Sequence, residues 1–399
     1  MFHGFCHLMF DSLPIDVFNF FPLFDLLRLA AISTNLYNKI INDEEFWKSR
    51  FLIKKEDQRW IDAYISNYAN VYICGHVIDK VVIREPTIIA NHKFKDICIA
   101  EHIIAIDLHD NVWTWGDNEH GQLGLGDCKG RSTPTLLQKM KAKQIAVGYG
   151  CTALIDLDDN IWICGWNKYG KLRINTKETK TFIKDVGFKA KQIAFGIHHT
   201  IVLDLENNVK TYGYNKYGQL GLGDCEKHIF SKRIINFKIK QIAAGEHHSF
   251  LIDTDDNLWS FGSNDRGQLG LGHTEDVLLP VKVPEIKVKQ IAAGCQHSIL
   301  IDSDDNVWTC GNNDEGQLGL GEDIEYITTF VQLSGIKAKQ ISAGSSYIAI
   351  IDMNNNIWQC GNGFYGLQGW DNFGLKQVKD FKAVKVAAGV KSTAFITML

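Results

Sequence analysis

From residue 70 onward the chain alternates short runs of β-forming residues with turn-forming clusters, and the alternation repeats. One unit reads Gln241-Ile-Ala-Ala-Gly245, Ser249-Phe-Leu-Ile-Asp253, Asp255-Asp-Asn257, Leu258-Trp-Ser-Phe-Gly262 and Gly267-Gln-Leu-Gly-Leu-Gly272. The runs Phe250 to Asp253 and Leu258 to Phe261 predict two strands. The Asp/Asn cluster between them predicts a tight hairpin, because these residues tolerate positive φ best after glycine. The Trp259 position recurs at Trp113, Trp162, Lys210, Trp308 and Trp358, in steps of 49, 48, 49, 49 and 50 residues. Such a constant step means one structural unit repeated almost without insertion.

Six hairpins are complete and a seventh is divided between the two ends of the repeat region. Its first half is Val386-Ala-Ala-Gly389 followed by Ser392 to Thr397; its second half is Asn70-Val-Tyr-Ile-Cys-Gly75. An open array has no use for a divided repeat, whereas a closed ring is locked by one. Residues 70–399 are therefore expected to form a seven-bladed β-propeller, whose closure removes exposed strand edges. Ser392 to Thr397 should lie antiparallel beside Val71 to Cys74. The Trp column should pack the blades, with Lys210 turning its charge outward. A second apolar column holds Cys74, Trp115, Cys164, Tyr212, Phe261, Cys310 and Cys360.

Composition narrows the function. The 399 residues carry 42 Lys plus Arg against 46 Asp plus Glu, a net charge of −4, which gives no support to a general nucleic-acid surface. The ten cysteines include no C-x-x-C pair and read as small core residues of a reducing compartment. No apolar run approaches the length of a membrane span. Met1 to Ser12 holds no Lys or Arg and does not read as a secretory signal. The expected setting is intracellular, cytoplasmic or nuclear, and within the host cell if the source is viral.

Three motifs invite chemistry. Gly-Gln-Leu-Gly-Leu-Gly occurs four times but lacks a Walker lysine and opens no helix, so it reads as a turn. His102, His199, His248 and His297 share a column with Cys151 and Tyr347, which favours structural histidines over a metal site. No nucleophile and base are tied by spacing. The expectation is no enzymatic activity, no cofactor and no metal.

The repeats resemble those of the regulator-of-chromosome-condensation family. The likeness rests on Ala244 to Ser249 and Ala293 to Ser298, on the Asp-x-x-x-Val/Leu-Trp hairpin, and on Trp-x-x-Gly-x-Asn-x-x-Gly-Gln-Leu-Gly-Leu-Gly. That last pattern is complete at Trp113 to Gly126, Trp259 to Gly272 and Trp308 to Gly321, and degenerate at Gly170-Lys-Leu-Arg-Ile174 and Gly366-Leu-Gln-Gly-Trp370. The resemblance implies the same seven-bladed ring. Founding members of the family exchange nucleotide on a small GTPase through a protruding wedge, for which the steps here leave no room.

Before residue 70 the pattern changes. Leu26, Leu29, Ile32, Leu36 and Ile40 fall at helical spacing, and Ser12 with Pro14 marks a helix start. The segment resembles an F-box at Leu13-Pro14, Asp25 to Leu29, Ile32-Ser33 and Asn42 to Trp47. That resemblance implies a small all-α domain over residues 1–51 that docks on a Skp-type adaptor of a cullin-RING (SCF-type) ubiquitin ligase. The adaptor-binding residues would be Leu13, Pro14, Leu26, Leu29, Ile32 and Trp47. Residues 52–69 read as a helical connector. The expected function is a ligase substrate-recognition subunit, with the propeller binding a protein target. A propeller scaffold without a ubiquitin link is the alternative, and a GTPase exchange factor a third. No nucleic acid or membrane partner is expected.

Overall fold

The computed structural model describes residues 69–76, 82–88, 93–234, 237–362, 373–390 and 392–398. The F-box-like reading of residues 1–51 and the helical reading of 52–68 lie outside them. Ala69, placed at the end of the connector by its sequence, instead opens a strand, because its backbone pairs with Met398.

Among the described residues seven four-stranded antiparallel blades follow one another, each contacting the next. The first blade uses Phe94–Ile99, His102–Asp107, Asn111–Gly116 and Arg131–Lys141, counted outward from the ring axis. Three long strands, Glu178–Phe195, Val277–Ala293 and Tyr326–Ala343, each serve two blades: the rim of one and, past a bulge, the innermost strand of the next. The seventh blade takes Lys385–Ala388 and Ser392–Met398 from the C-terminal end and Ala69–His76 and Val82–Ile88 from the start of the repeats. Its closing pairs run from Ala69↔Met398 through Tyr72↔Phe395 to Gly75↔Ser392, as the divided repeat predicted.

Each second strand is sandwiched between neighbouring blades. His248–Asp253 is buried at every position, which explains a continuous apolar run where a half-exposed strand would alternate. The apolar core lies between blades: Phe250, Ile252 and Leu258 of the fourth pack on Val288, Ile291 and Leu300 of the fifth. Trp115, Cys164, Tyr212, Phe261, Cys310 and Cys360 are buried as their shared column predicted.

The hairpin residues act as one device. Asp253 accepts backbone N–H bonds from Asp255 and Asn257, a side-chain bond from Asn257 and the indole N–H of Trp259 at 2.9 Å, while Asp256 takes φ +67°. Burial alone would raise the Asp253 carboxyl, but these bonds together hold it below its ordinary value. The same indole bond joins Trp113, Trp162, Trp308 and Trp358 to Asp107, Asp156, Asp302 and Asp352. The tryptophans are consequently half-buried, tied to the hairpin by nitrogen while the ring packs on the blade. Lys210 does not turn outward as its charge suggested; its Nζ lies 3.7 Å from Asp204, the carboxylate that an indole meets elsewhere.

Ring closure should make stability indivisible. Removing Lys385 to Leu399 takes two strands from the seventh blade and exposes apolar surface on the first and sixth. The truncated chain is expected to lose its cooperative thermal transition altogether. A sharp melt for the remaining six blades would contradict this.

Candidate functional site

The histidine column is a set of interblade links. The Thr152 hydroxyl donates to the Gln122 carbonyl at 2.6 Å and lies 2.6 Å from His102 Nε2. Ser249 donates to Gln219 O at 2.8 Å and lies 3.0 Å from His199 Nε2. Ser298 bonds Gln268 O at 2.8 Å and lies 3.1 Å from His248. A hydroxyl that donates to a carbonyl is left with lone pairs, so Nε2–H is the donor to it and Nδ1 is bare. His297 reaches the Tyr347 carbonyl at 3.3 Å, which requires the same tautomer. Each hydroxyl is thus held between a histidine and a glycine-loop carbonyl of the preceding blade.

Burial drives these imidazoles to the neutral form, to about 3 at His102 and His248 and about 4 at His297. Their Nδ1 atoms have no hydrogen-bond partner, and the rings of His199, His248 and His297 lie against Gly196, Gly245 and Gly294. A Cβ on Gly245 would come within 2.2 Å of His248 Cε1, so the Gly-x-x-His spacing is a packing requirement. Among the described residues no group of three or more His, Cys, Asp or Glu is placed to hold a metal ion. Burial pushes the Cys310 and Cys360 thiols up, away from the reactive thiolate.

The glycine-rich runs reach across blade boundaries rather than closing on themselves. Gly272 N–H donates to Thr328 O at 2.8 Å, Gly223 N–H to Leu278 O at 2.9 Å and Gly126 N–H to Lys180 O at 2.8 Å. Nearer the axis, the Gln192 amide exchanges two bonds with the backbone of Ile242, at 3.0 and 3.1 Å, and Gln340 does so with Val386. Successive blades are therefore joined near the axis, at mid-radius and at the rim.

These loops and the starts of the second strands share one end of the blades, opposite the Asp/Asn hairpins. In each Gly-x-Asn-x-x-Gly loop the asparagine is structural: Asn264 Oδ1 accepts from Leu269 N–H at 3.0 Å and its amide bonds His273 O at 2.8 Å. The three x positions are free to vary. They read Asp117, Glu119 and His120 in the first blade, Trp166, Lys168 and Tyr169 in the second, and Tyr214, Lys216 and Tyr217 in the third. The fourth has Ser263, Asp265 and Arg266, and the fifth Asn312, Asp314 and Glu315.

A continuous aromatic shelf is built on the second and third blades from these positions and from the residues before the column histidines, with His120 of the first blade and His247 of the fourth at its two ends. His120 stacks on Trp166 with centroids 4.7 Å apart and planes 7° from parallel. Tyr169 lies 4.8 Å from His198 and 4.7 Å from Tyr214, and His247 lies 5.1 Å from Tyr217. Lys168 Nζ sits 4.9 Å from the Trp166 ring centre and Lys216 Nζ 5.5 Å from that of Tyr217. Burial, with Lys171 and Lys168 nearby, depresses His198 to about 4, so the shelf carries its positive charge on lysine.

One substitution shapes this region. Gln268 Oε1 accepts the Arg266 N–H within its own loop, and Gln122, Gln219 and Gln317 do the same in theirs. The second blade has Lys171 there, which offers no acceptor. Its loop turns differently, with Tyr169 at φ +58° and 36% exposed, which sends that ring toward His198 and Tyr214. The Lys171 ammonium is buried and donates to the carbonyls of Tyr149 and Ile197, next to the axis. The run Gly170-Lys-Leu-Arg-Ile174, which in sequence is a degenerate repeat, is thus where the surface becomes distinctive. The six F-box-like positions, Leu13, Pro14, Leu26, Leu29, Ile32 and Trp47, lie outside the described residues.

Fold and loops together define a propeller of glycine-loop repeats with one elaborated face. Residues 144–396 match the family described as RCC1-like domain, and residues 109–155 match the regulator of chromosome condensation (RCC1) repeat. The chain belongs to the RCC1-like domain family. Neither match reaches residues 1–68. Among solved structures, yeast RCC1 (Prp20) bound to Kap60 is 21% identical with a TM-score of 0.74, covering 83% of this chain and 89% of that one. Prp20p from Saccharomyces cerevisiae, described with its binding properties to Gsp1p and histones, is 20% identical with a TM-score of 0.74 over 84% of this chain and 94% of its own. Human WBSCR16 is 17% identical with a TM-score of 0.74 over 83% and 99%. At these identities the likeness is one of fold.

The neutral histidines give stability a pH dependence. Their folded values near 3 to 4 lie below the ordinary 6.5, so the unfolded chain binds more protons between those limits. Their contribution is complete above about pH 6.5 and falls as pH drops, by about 1.4 kcal/mol per unit for each histidine. The urea midpoint is expected to fall clearly between pH 7.5 and pH 5, and His248→Asn to flatten that slope. An unchanged midpoint over that range would contradict the buried neutral assignment.

Proposed function

We propose that this protein is a non-catalytic recognition subunit of a cullin-RING ubiquitin ligase. In this reading residues 1–51 bind a Skp-type adaptor through Leu13, Pro14, Leu26, Leu29, Ile32 and Trp47, and the loop face of the propeller binds a protein target. The observation that carries the recognition half is the aromatic shelf of Trp166, Tyr169 and Tyr214 on loops whose glycines and asparagines are fixed by internal bonds. Accessible rings on a rigid frame give contact area at low entropic cost, which is what a binding face needs. The F-box-like motif supports the ligase half. The subunit then acts by proximity, raising the target's effective concentration beside the ubiquitin-loaded enzyme.

A pull-down with the intact chain tests the reading. Recovery of a Skp-type adaptor with its cullin is expected, and Leu26→Asp should abolish it by placing an unpaired charge in an apolar contact. The melting temperature of the propeller should be unchanged. Failure to recover an adaptor from any plausible host would sink the ligase reading, and recovery of a small GTPase instead would favour exchange activity.

A further inference from the structure

Most described lysines of the hairpin end are committed to the fold. Lys95, Lys143, Lys240 and Lys289 pair with the positive-φ hairpin residues Asp110, Asp159, Asp256 and Asp305. Lys238, Lys287 and Lys337 bond hairpin carbonyls. On the loop face, Arg266 of the fourth blade meets both Asp314, at 3.9 Å, and Glu325, at 3.1 Å. Lys168 and Lys216 differ from all of these. Neither ammonium meets a carboxylate among the described residues; each rests over aromatic rings of its own loop. The buried Lys171 donates to two carbonyls and its charge is met by the buried Glu101 carboxylate. Two lysines without a carboxylate partner among the described residues therefore share one two-blade sector with four exposed or half-exposed aromatic rings, in a chain whose net charge is −4.

We propose that this sector takes a short acidic segment of a partner protein, with one or more carboxylates set beside an aromatic or aliphatic side chain. Carboxylates would bridge Lys168 and Lys216, and the apolar side chain would lie on Trp166, Tyr169 and Tyr214. The flanks set the length. Asp117 and Glu119 bound the sector on the first blade, and Asp265, Asp314 and Glu315 on the fourth and fifth. An anionic segment extending past two blades meets like charge, which limits it to a few residues. That limit also disfavours a nucleic-acid strand, which carries a charge at every step. The proposal deepens the recognition reading of this face and does not depend on the adaptor.

Panning a random twelve-residue peptide library on the full chain tests it, followed by fluorescence polarisation of the enriched peptides. Enriched sequences should place Asp or Glu beside Phe, Tyr, Trp or Leu. They should bind the Lys168→Glu/Lys216→Glu variant at least tenfold more weakly, and weaken with added salt. Trp166→Ala should weaken them as well. If charge reversal lowers the melting temperature, Lys168→Gln/Lys216→Gln carries the same expectation of weakened binding. Failure to enrich any peptide, a basic or uncharged consensus, or full affinity in a folded double variant would overturn the proposal. So would tighter binding of a ten-nucleotide oligo-dT, which would assign the shelf to nucleic acid. Adaptor pull-down with the same variants separates the two readings: peptide binding without adaptor sinks the ligase assignment alone, and adaptor without peptide sinks this one alone.

Discussion

Neighbouring blades are fastened through a hydroxyl with two bonds wherever the column histidine faces one: it accepts from a buried imidazole N–H and donates to the carbonyl of a glycine-loop glutamine. Three of the described blade boundaries use this relay in full, at Thr152, Ser249 and Ser298. At the second blade Cys151 replaces the histidine, yet Thr200 keeps its bond to the Lys171 carbonyl. At the sixth, Tyr347 takes over and its hydroxyl bonds Ser392 O and receives Gly389 N–H and Thr393, tying in the blade that closes the ring. The relay joins three parts of the repeat that the sequence separates: the innermost turn, the second strand and the loop. A Cβ at the glycine, a charge on the imidazole or loss of the hydroxyl would each break it.

From this constraint follows a division of labour within the repeat. Glycines, asparagines and most loop glutamines are consumed by internal bonds, so they hold the face without contributing chemistry to it. Variation is left to the x positions of Gly-x-Asn-x-x-Gly and to the residue before the column histidine. The second and third blades use that freedom for Trp166, Lys168, Tyr169, His198, Tyr214 and Lys216, and the fourth adds His247. The loops of the first, fourth and fifth use it for carboxylates. The face is polarised because the scaffold is uniform and only these side chains differ.

The ring was legible in the sequence because its signals are local and periodic. A constant step and a divided repeat define both the blade and its closure, and the paired register of Val71 to Gly75 with Ser392 to Ile396 follows from them. What could not be read was anything that depends on the neighbouring blade. Ser249 follows His248 in sequence, but its imidazole partner is His199, 50 residues earlier. Trp259 looked like simple packing because its bond to Asp253 appears only when the hairpin turns. The aromatic shelf reads in sequence as a weak copy of the repeat, since Lys171 breaks the glycine-loop pattern. Departure from a motif is the available signal, and it marks the shelf.

Hydrogen exchange followed blade by blade in the native chain tests most directly whether the relay makes one cooperative ring. A locked ring exchanges its second-strand amides only on global unfolding, so His102–Asp107, His248–Asp253 and Ser392–Met398 should share one opening free energy. Protection should fall in all of them together when Ser298→Ala removes a single hydroxyl. Blades that open at separate free energies, or a Ser298→Ala effect confined to the fourth and fifth blades, would contradict the ring as one unit.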